Sequence, residues 1–387
     1  MKTIEKTLQH LADSGNLRTV PHDTVATGED VLDLTSNDYL GIAEDVELRR
    51  RFLEDTDVEN FMLTASASRL LATHQHWFDE LEALLTELYG KPALLFNSGY
   101  HANTGMIAAL GDKNTLILAD RLVHASIIDG MRLSGARFMR YAHNDYGHLE
   151  TLIRKFGGEY ARVLIVSESV FSMDGDRSDL AALVKCKRLH PNALLYIDEA
   201  HAVGVCGPRG LGLAVPYLDD VDILVGTLGK ALASQGAYAI LSETLREYMV
   251  NTARSLIFST ALPPLSARWS AYVIRRSVDM EDSRRRLATI CRDVAAAVNA
   301  SGLTTHEVAP SHIIPIIIGD AARAVGLSKA LRQRGVLCLP IRVPTVPPGT
   351  ERLRLSLNAA ITDRDIQHIA EAFAEVAELN IVLNKFR

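Results

Sequence analysis

Cysteine is scarce and scattered. The four residues Cys186, Cys206, Cys291 and Cys338 in a chain of 387 show no CxxC spacing, which argues against a zinc site and against a disulfide framework. Charge of one sign is lacking too. Forty-one basic residues stand against 47 acidic ones, for a net charge of −6, and no long basic run is present to attract nucleic acid or an anionic membrane. No apolar run approaches the length of a membrane span. The opening Met1-Lys2-Thr3-Ile4-Glu5-Lys6 leads into a charged amphipathic stretch, not an apolar signal core. The expectation is a soluble cytoplasmic protein with neither nucleic acid nor membrane as partner. With 48% hydrophobic residues the chain can bury a large core, and its length suits two domains.

Apolar runs of strand length alternate with helical patterns from about residue 80. Trp77 to Tyr89 places Phe78, Leu81, Leu84, Leu85 and Leu88 on one helical face. Strands are predicted at Ala93 to Phe96, Thr115 to Leu118, Ala161 to Val166, and before Asp198 and Thr227. Helices are predicted at His101 to Leu110 and Leu180 to Leu189. Such alternation means βαβ units and a mostly parallel sheet covered on both faces. Pro263-Pro264 closes this region, and one long helix is expected over about 265–302. A smaller α/β part follows, with strands at His312 to Ile318, Val336 to Ile341 and Leu353 to Leu357. Its helices are Ala321 to Gln333 and Asp363 to Ala377. The expected division is an N-terminal segment 1–35, a large domain 36–270 and a small C-terminal domain 271–387.

The chemistry centres on Lys230, in Thr227-Leu228-Gly229-Lys230 after the apolar run Asp222 to Val225. Upstream, Leu194-Leu195-Tyr196-Ile197 ends in Asp198-Glu199-Ala200-His201. A strand ending in Asp, with His three residues on, and a second strand ending in a Thr/Lys turn are the two halves of a pyridoxal phosphate site. The lysine forms a Schiff base with the cofactor aldehyde, and the Asp keeps the pyridine nitrogen protonated. Other signals are weaker alone. Asn97-Ser98-Gly99-Tyr100 is a strand-to-helix turn able to present N–H groups to a phosphate, but any tight βα turn can carry Ser-Gly. His124 sits at a helix start, as a cap or surface residue or as an imidazole stacked on the cofactor ring. Glu168 to Asp176 has three acids and a glycine, yet not the spacing of a calcium loop. No metal is expected.

Taken together and in order, these motifs resemble the α-oxoamine synthases. Ser36-Asn37-Asp38-Tyr39-Leu40-Gly41, Ala119 to Ser126, Val170-Phe171-Ser172-Met173-Asp174-Gly175-Asp176, Asp198 to His201, Thr227 to Lys230 and Pro344 to Arg354 carry the resemblance, from about residue 17 to about 375. The resemblance implies a fold-type I pyridoxal phosphate transferase: a large domain with a mostly parallel seven-stranded sheet, a smaller C-terminal α/β domain, and a homodimer with shared active sites. By position, Lys230 is the Schiff-base lysine and Asp198 the pyridinium partner. His124 stacks on the ring, and His201 and Ser172 lie near the phenolic oxygen. Ser98, Gly99, Tyr100 and Thr227 bind the phosphate, with Thr260 reaching in from the partner subunit. Asn37 and Arg354 contact the amino-acid carboxylate, and Arg18 matches a position near the acyl entrance.

The implied reaction is a decarboxylative condensation of an amino acid with an acyl-CoA or acyl-carrier-protein thioester. The branch expected is the one that joins L-alanine to a pimeloyl thioester in biotin synthesis. Rivals are acetyl transfer to glycine, the 5-aminolevulinate and sphingoid-base branches, and a fold-type I aminotransferase or lyase. The sequence departs from the family where glycines are usual. It reads Leu63-Thr64-Ala65-Ser66-Ala67-Ser68-Arg69, then Thr73, with Phe78 in place of a common His and Ser169 in place of a common Gly. Alanine loses access to positive φ, so the acyl channel is the expected place of difference.

Overall fold

The computed structural model describes residues 1–18, 20, 31–60, 62–73, 75–304 and 306–385. Parts of the predicted N-terminal segment, residues 19 and 21–30, lie outside the described residues. The chain forms two compact units, one of Leu40–Ser172 and Asp176–Arg284, the other of Met1–Tyr39, Met173–Gly175 and Arg285–Arg387.

The larger unit is built on a seven-stranded sheet. Its strands run in the order Ala93–Phe96, Ala237–Leu241, Ile223–Thr227, Ala193–Asp198, Arg162–Glu168, Thr115–Asp120, Arg137–Tyr141. Only Ala237–Leu241 is antiparallel to its neighbours; the remaining pairings are parallel. The central strands are almost wholly buried, and every residue of Thr115–Asp120 is buried. That is why they read as continuous apolar runs with no alternation. The sequence-based expectation of a mostly parallel, helix-covered α/β sheet is met.

Two helices matter for the site. Gly99–Leu110 follows the first strand directly, and Ser98 caps it by accepting from the His101 N–H. Ala125–Ser134 is capped by His124. The two helices lie close because of Gly130. A Cβ there would come within 2.9 Å of the Asn103 carbonyl and 3.2 Å of Thr104 Cα, so only glycine admits this approach.

The expected single helix over 265–302 is two, Pro264–Ser277 and Glu281–Ser301. The first ends with Val278 as its C-cap. Glu281 and Asp282 begin the next, acids suited to a helix start. In the smaller unit Leu339–Ile341, Arg352–Ser356 and Ile313–Ile317 form an antiparallel three-stranded sheet. Leu32–Asp33 pairs in parallel with Val336–Leu337. Helices Lys2–Asp13, Ala321–Arg332 and Asp363–Lys385 belong to it, as does Glu281–Ser301 from Arg285 onward. No helix of the described residues is long and apolar enough to cross a membrane.

Candidate active site

Functional side chains of the larger unit gather at the carboxyl ends of its parallel strands, where ligands of open α/β sheets bind. Asp198 ends one strand and Thr227 its neighbour. Glu168, in register with Asp198, ends a third. Lys230 lies three residues beyond Thr227, and its Nζ is 2.7 Å from Nε2 of the buried His201. This pair brings two of the residues read from the sequence into direct contact.

Asp198 is buried. Its Oδ1 accepts from the Ala200 N–H at 2.8 Å and its Oδ2 from Asn103 Nδ2 at 2.7 Å. Asn103 Oδ1 accepts from the Tyr196 hydroxyl at 2.7 Å, and Nδ2 reaches Ser126 Oγ at 2.9 Å. Ser126 Oγ stands 2.7 Å from His124 Nδ1. Asp198 and His124 are therefore joined through two residues the sequence reading did not single out. Both are buried, and a buried amide or hydroxyl requires partners, but other polar residues of the same helices hide them in the sequence.

His124 caps its helix, as one reading of its position expected, and it lies near the Asp198 and Lys230 charges. Although the residue is exposed, desolvation lowers its pKa below the ordinary histidine value; Lys230 adds to this, and Asp198 and Asp129 oppose it. Glu168 is fully buried, and burial followed by the Asp198 charge raises its pKa well above the ordinary carboxylate range. Its Oε1 accepts from the His124 backbone N–H.

At the start of the helix Gly99–Leu110, a Cβ on Gly99 would meet nothing within 4 Å. Open space thus lies over a helix end whose first N–H groups have no intrahelical acceptor. The Tyr100 hydroxyl donates to Asp129. Thr227 Oγ1 accepts from Gly229 N–H and donates to the Gly236 carbonyl, both at 3.3 Å. Thr260 is exposed, and within its own chain its carbonyl accepts from Asn97.

The loop carrying Ser172 is fastened by His143. Nδ1 lies 2.9 Å from Asp120 Oδ1 and Nε2 2.7 Å from Asp176 Oδ2. The Phe171 ring meets the imidazole edge-on at 4.4 Å. Burial alone would lower the pKa, but bonds to two carboxylates overcome it and raise it to about 10. The charged clamp therefore contributes fully below the unfolded pKa of about 6.5 and is lost as pH rises through about 10. His143→Gln should cost ~1–3 kcal/mol at pH 6. Urea unfolding of wild type and variant at a series of pH values should show this gap closing as pH passes 10. A gap that widens with pH would contradict the clamp.

In the smaller unit Arg354 is buried and donates to Asn37 Oδ1 at 3.0 Å. Tyr39 and Ser356 hydroxyls reach the same oxygen at 3.0 and 3.3 Å. Arg352, two residues away, pairs with Asp174. Arg18 donates to Thr345 Oγ1 at 3.0 Å.

The sequence departures have local explanations. Positive φ falls on Ser66, at 50°, not on Ala65 or Ala67. Phe78 is buried with the Arg69 guanidinium 4.9 Å from its ring centroid. Ser169 donates at 2.6 Å to the fully buried Glu199, whose pKa burial raises to about 7.

An amine beside an imidazole, a buried acceptor-only carboxylate, a flanking histidine and an open helix N-terminus match the aldehyde, ring nitrogen, ring face and phosphate of pyridoxal phosphate. Comparison with known proteins agrees. The model of the family "Aminotransferase class I and II" matches residues 29–373. The chain belongs to this family. The 8-amino-7-oxononanoate synthase of Haemophilus ducreyi is 44% identical over 384 residues, covering 95% of this chain and 98% of the relative. That of Chlorobaculum parvum is 46% identical over 357 residues, covering 90% of each. Among solved structures, SPT with PLP internal aldimine superposes with a TM-score of 0.86 at 29% identity, over 97% of both chains. The 8-amino-7-oxononanoate synthase of Francisella tularensis gives 0.77 at 27% identity, over 92% of this chain and all of that one. The fold is that of fold-type I enzymes, and the cofactor is pyridoxal 5′-phosphate.

Proposed function

We propose that this enzyme condenses L-alanine with a pimeloyl thioester, carried by coenzyme A or acyl carrier protein, to give 8-amino-7-oxononanoate for biotin synthesis. The observation that carries the reading is 44% identity over nearly the full length of a relative with that name, together with the Lys230–His201 pair. Bound pyridoxal phosphate supplies the electron sink that makes the amino acid's α-carbon acidic. Lys230 Nζ anchors the cofactor between turnovers and, once displaced, takes the α proton. His201 Nε2, hydrogen-bonded to Nζ, relays charge from it and polarises the new carbonyl. Asp198 would keep the ring nitrogen protonated, His124 would cover the ring, and Ser172 would lie near the phenolic oxygen. Ser98, Gly99, Tyr100 and Thr227 hold the phosphate. Asn37 and Arg354 orient the amino-acid carboxylate, bidentate pairing being what a guanidinium offers, and Arg18 borders the acyl entrance.

The bond formed joins the amino-acid α-carbon to the acyl carbon. The thioester C–S bond breaks, the thiol leaves, and the carboxyl group departs as carbon dioxide. Lys230 returns a proton to the α-carbon. The protein acts in the cytoplasm as a homodimer in which Thr260 of each subunit completes the other's phosphate site.

The test is a matrix of acetyl, succinyl, pimeloyl and palmitoyl thioesters against L-alanine and glycine, read as kcat/KM. One methyl separates the amino acids, worth about 1–3 kcal/mol. L-alanine should therefore lead by tens of fold, while the pimeloyl thioester should lead the acyl series by more. Best activity with acetyl-CoA and glycine would refute this assignment and leave the family intact.

A further inference from the structure

A carboxylate can only accept hydrogen bonds, and that fixes the direction of every bond leading away from Asp198. Asn103 must turn its amide nitrogen to Asp198 Oδ2, 2.7 Å away, so its oxygen faces the Tyr196 hydroxyl at 2.7 Å. The second hydrogen of the same nitrogen goes to Ser126 Oγ at 2.9 Å. The Ser126 backbone N–H donates to His124 Nδ1 at 3.2 Å. That ring nitrogen so has no proton to give, and the Ser126 hydroxyl, 2.7 Å away, therefore donates to it. His124 Nδ1 accepts twice and carries no proton, so the imidazole proton sits on Nε2. Asn103, Ser126 and Tyr196 are buried to 1% exposure or less, where an amide and a hydroxyl have no water to exchange partners with.

We propose that Asn103 and Ser126 are positioning residues that transmit the ionised state of Asp198 to His124, holding its imidazole neutral with the proton on Nε2. The proposal rests on the reading of Asp198 and His124 as the cofactor's ring contacts. Its consequence is chemical. A neutral imidazole covering a protonated pyridine ring adds no second positive charge, and its one N–H, on Nε2, is the group it can offer. The charges facing His124 pull in both directions: Asp198 and Asp129 favour the imidazolium, and Lys230 opposes it. Glu168 is taken up by the His124 backbone N–H. Bond polarity along the relay decides between them.

The experiment is nitrogen NMR of the full chain carrying labelled histidine, with His124→Gln assigning the signal, first without and then with added pyridoxal phosphate. Wild-type protein should show the Nε2–H tautomer, with its titration midpoint below that of a free imidazole. Ser126→Ala should give mixed tautomers and move the midpoint up towards the free value. Ser126→Thr, which keeps the hydroxyl, should restore the wild-type pattern. Asn103→Leu should reproduce the Ser126→Ala signature without altering any His124 contact, and should weaken cofactor binding about tenfold or more. If Asn103→Leu does not fold, Ser126→Ala and Ser126→Thr decide the matter alone. A proton on Nδ1 in the wild type, or an unchanged tautomer in Ser126→Ala, would overturn the relay. Wild-type protein that binds no pyridoxal phosphate would instead refute the cofactor reading, leaving the cofactor-free result standing.

Discussion

Lys230→Ala should abolish turnover, by at least about 10³-fold, because one amine is both the covalent anchor and the base. Two other lysines are engaged elsewhere: Lys187 pairs with Asp222 at 2.6 Å, and Lys91 donates to the Leu218 carbonyl. Lys230→Arg should not rescue activity, since a guanidinium stays protonated and is neither nucleophile nor base at neutral pH. Wild-type protein treated with borohydride should carry its cofactor on the peptide containing Lys230, and the alanine variant should carry none. Reduced cofactor on another lysine, or turnover within tenfold of wild type, would remove Lys230 from the centre of the site.

Asp198→Asn carries the second large effect. The carboxylate accepts at both oxygens, from Ala200 N–H and from Asn103 Nδ2. An amide of the same shape has one oxygen, so one of those donors must then face an N–H. Charge opposite the ring nitrogen is lost at the same time. Removing one partner of a buried pair costs about 3–5 kcal/mol. If that loss falls on the barrier, kcat drops by about 10²–10³-fold or somewhat more. The variant should still take up cofactor through Lys230. Titration with pyridoxal phosphate, followed by single-turnover kinetics, separates the two effects. Near-normal kcat in Asp198→Asn would make the residue purely structural.

How legible this was in the sequence depends on what fixes each element. The central strands announce themselves because both faces are covered, so Arg162–Glu168 and Ala193–Asp198 read as apolar runs. Arg137–Tyr141, the last strand of the sheet, is largely exposed and interrupts its apolar residues with Arg140. Ala237–Leu241 is buried and apolar but is inserted antiparallel, which the βαβ pattern does not anticipate. The break at 278–280 was missed because helical periodicity continues on both sides of it. Within the site, Lys230, Asp198 and His201 stand out since each follows an apolar strand at a turn. Asn103, Ser126 and Tyr196 do not, because their role exists only in three dimensions, made possible by the close helix approach at Gly130. His143, read as no part of any motif, proves to clamp the most recognisable loop.

The central claim is that the amino acid loses its carboxyl group as its α-carbon gains an acyl group. L-alanine labelled with carbon-13 at the carboxyl carbon, incubated with pimeloyl-CoA and the cofactor-loaded enzyme, tests it in one measurement. The account predicts labelled carbon dioxide, free coenzyme A and unlabelled 8-amino-7-oxononanoate in a one-to-one-to-one ratio, with no labelled carbon dioxide when the thioester is left out. Label retained in pyruvate, or labelled carbon dioxide released without thioester, would contradict it and mark the protein as an aminotransferase or a simple decarboxylase.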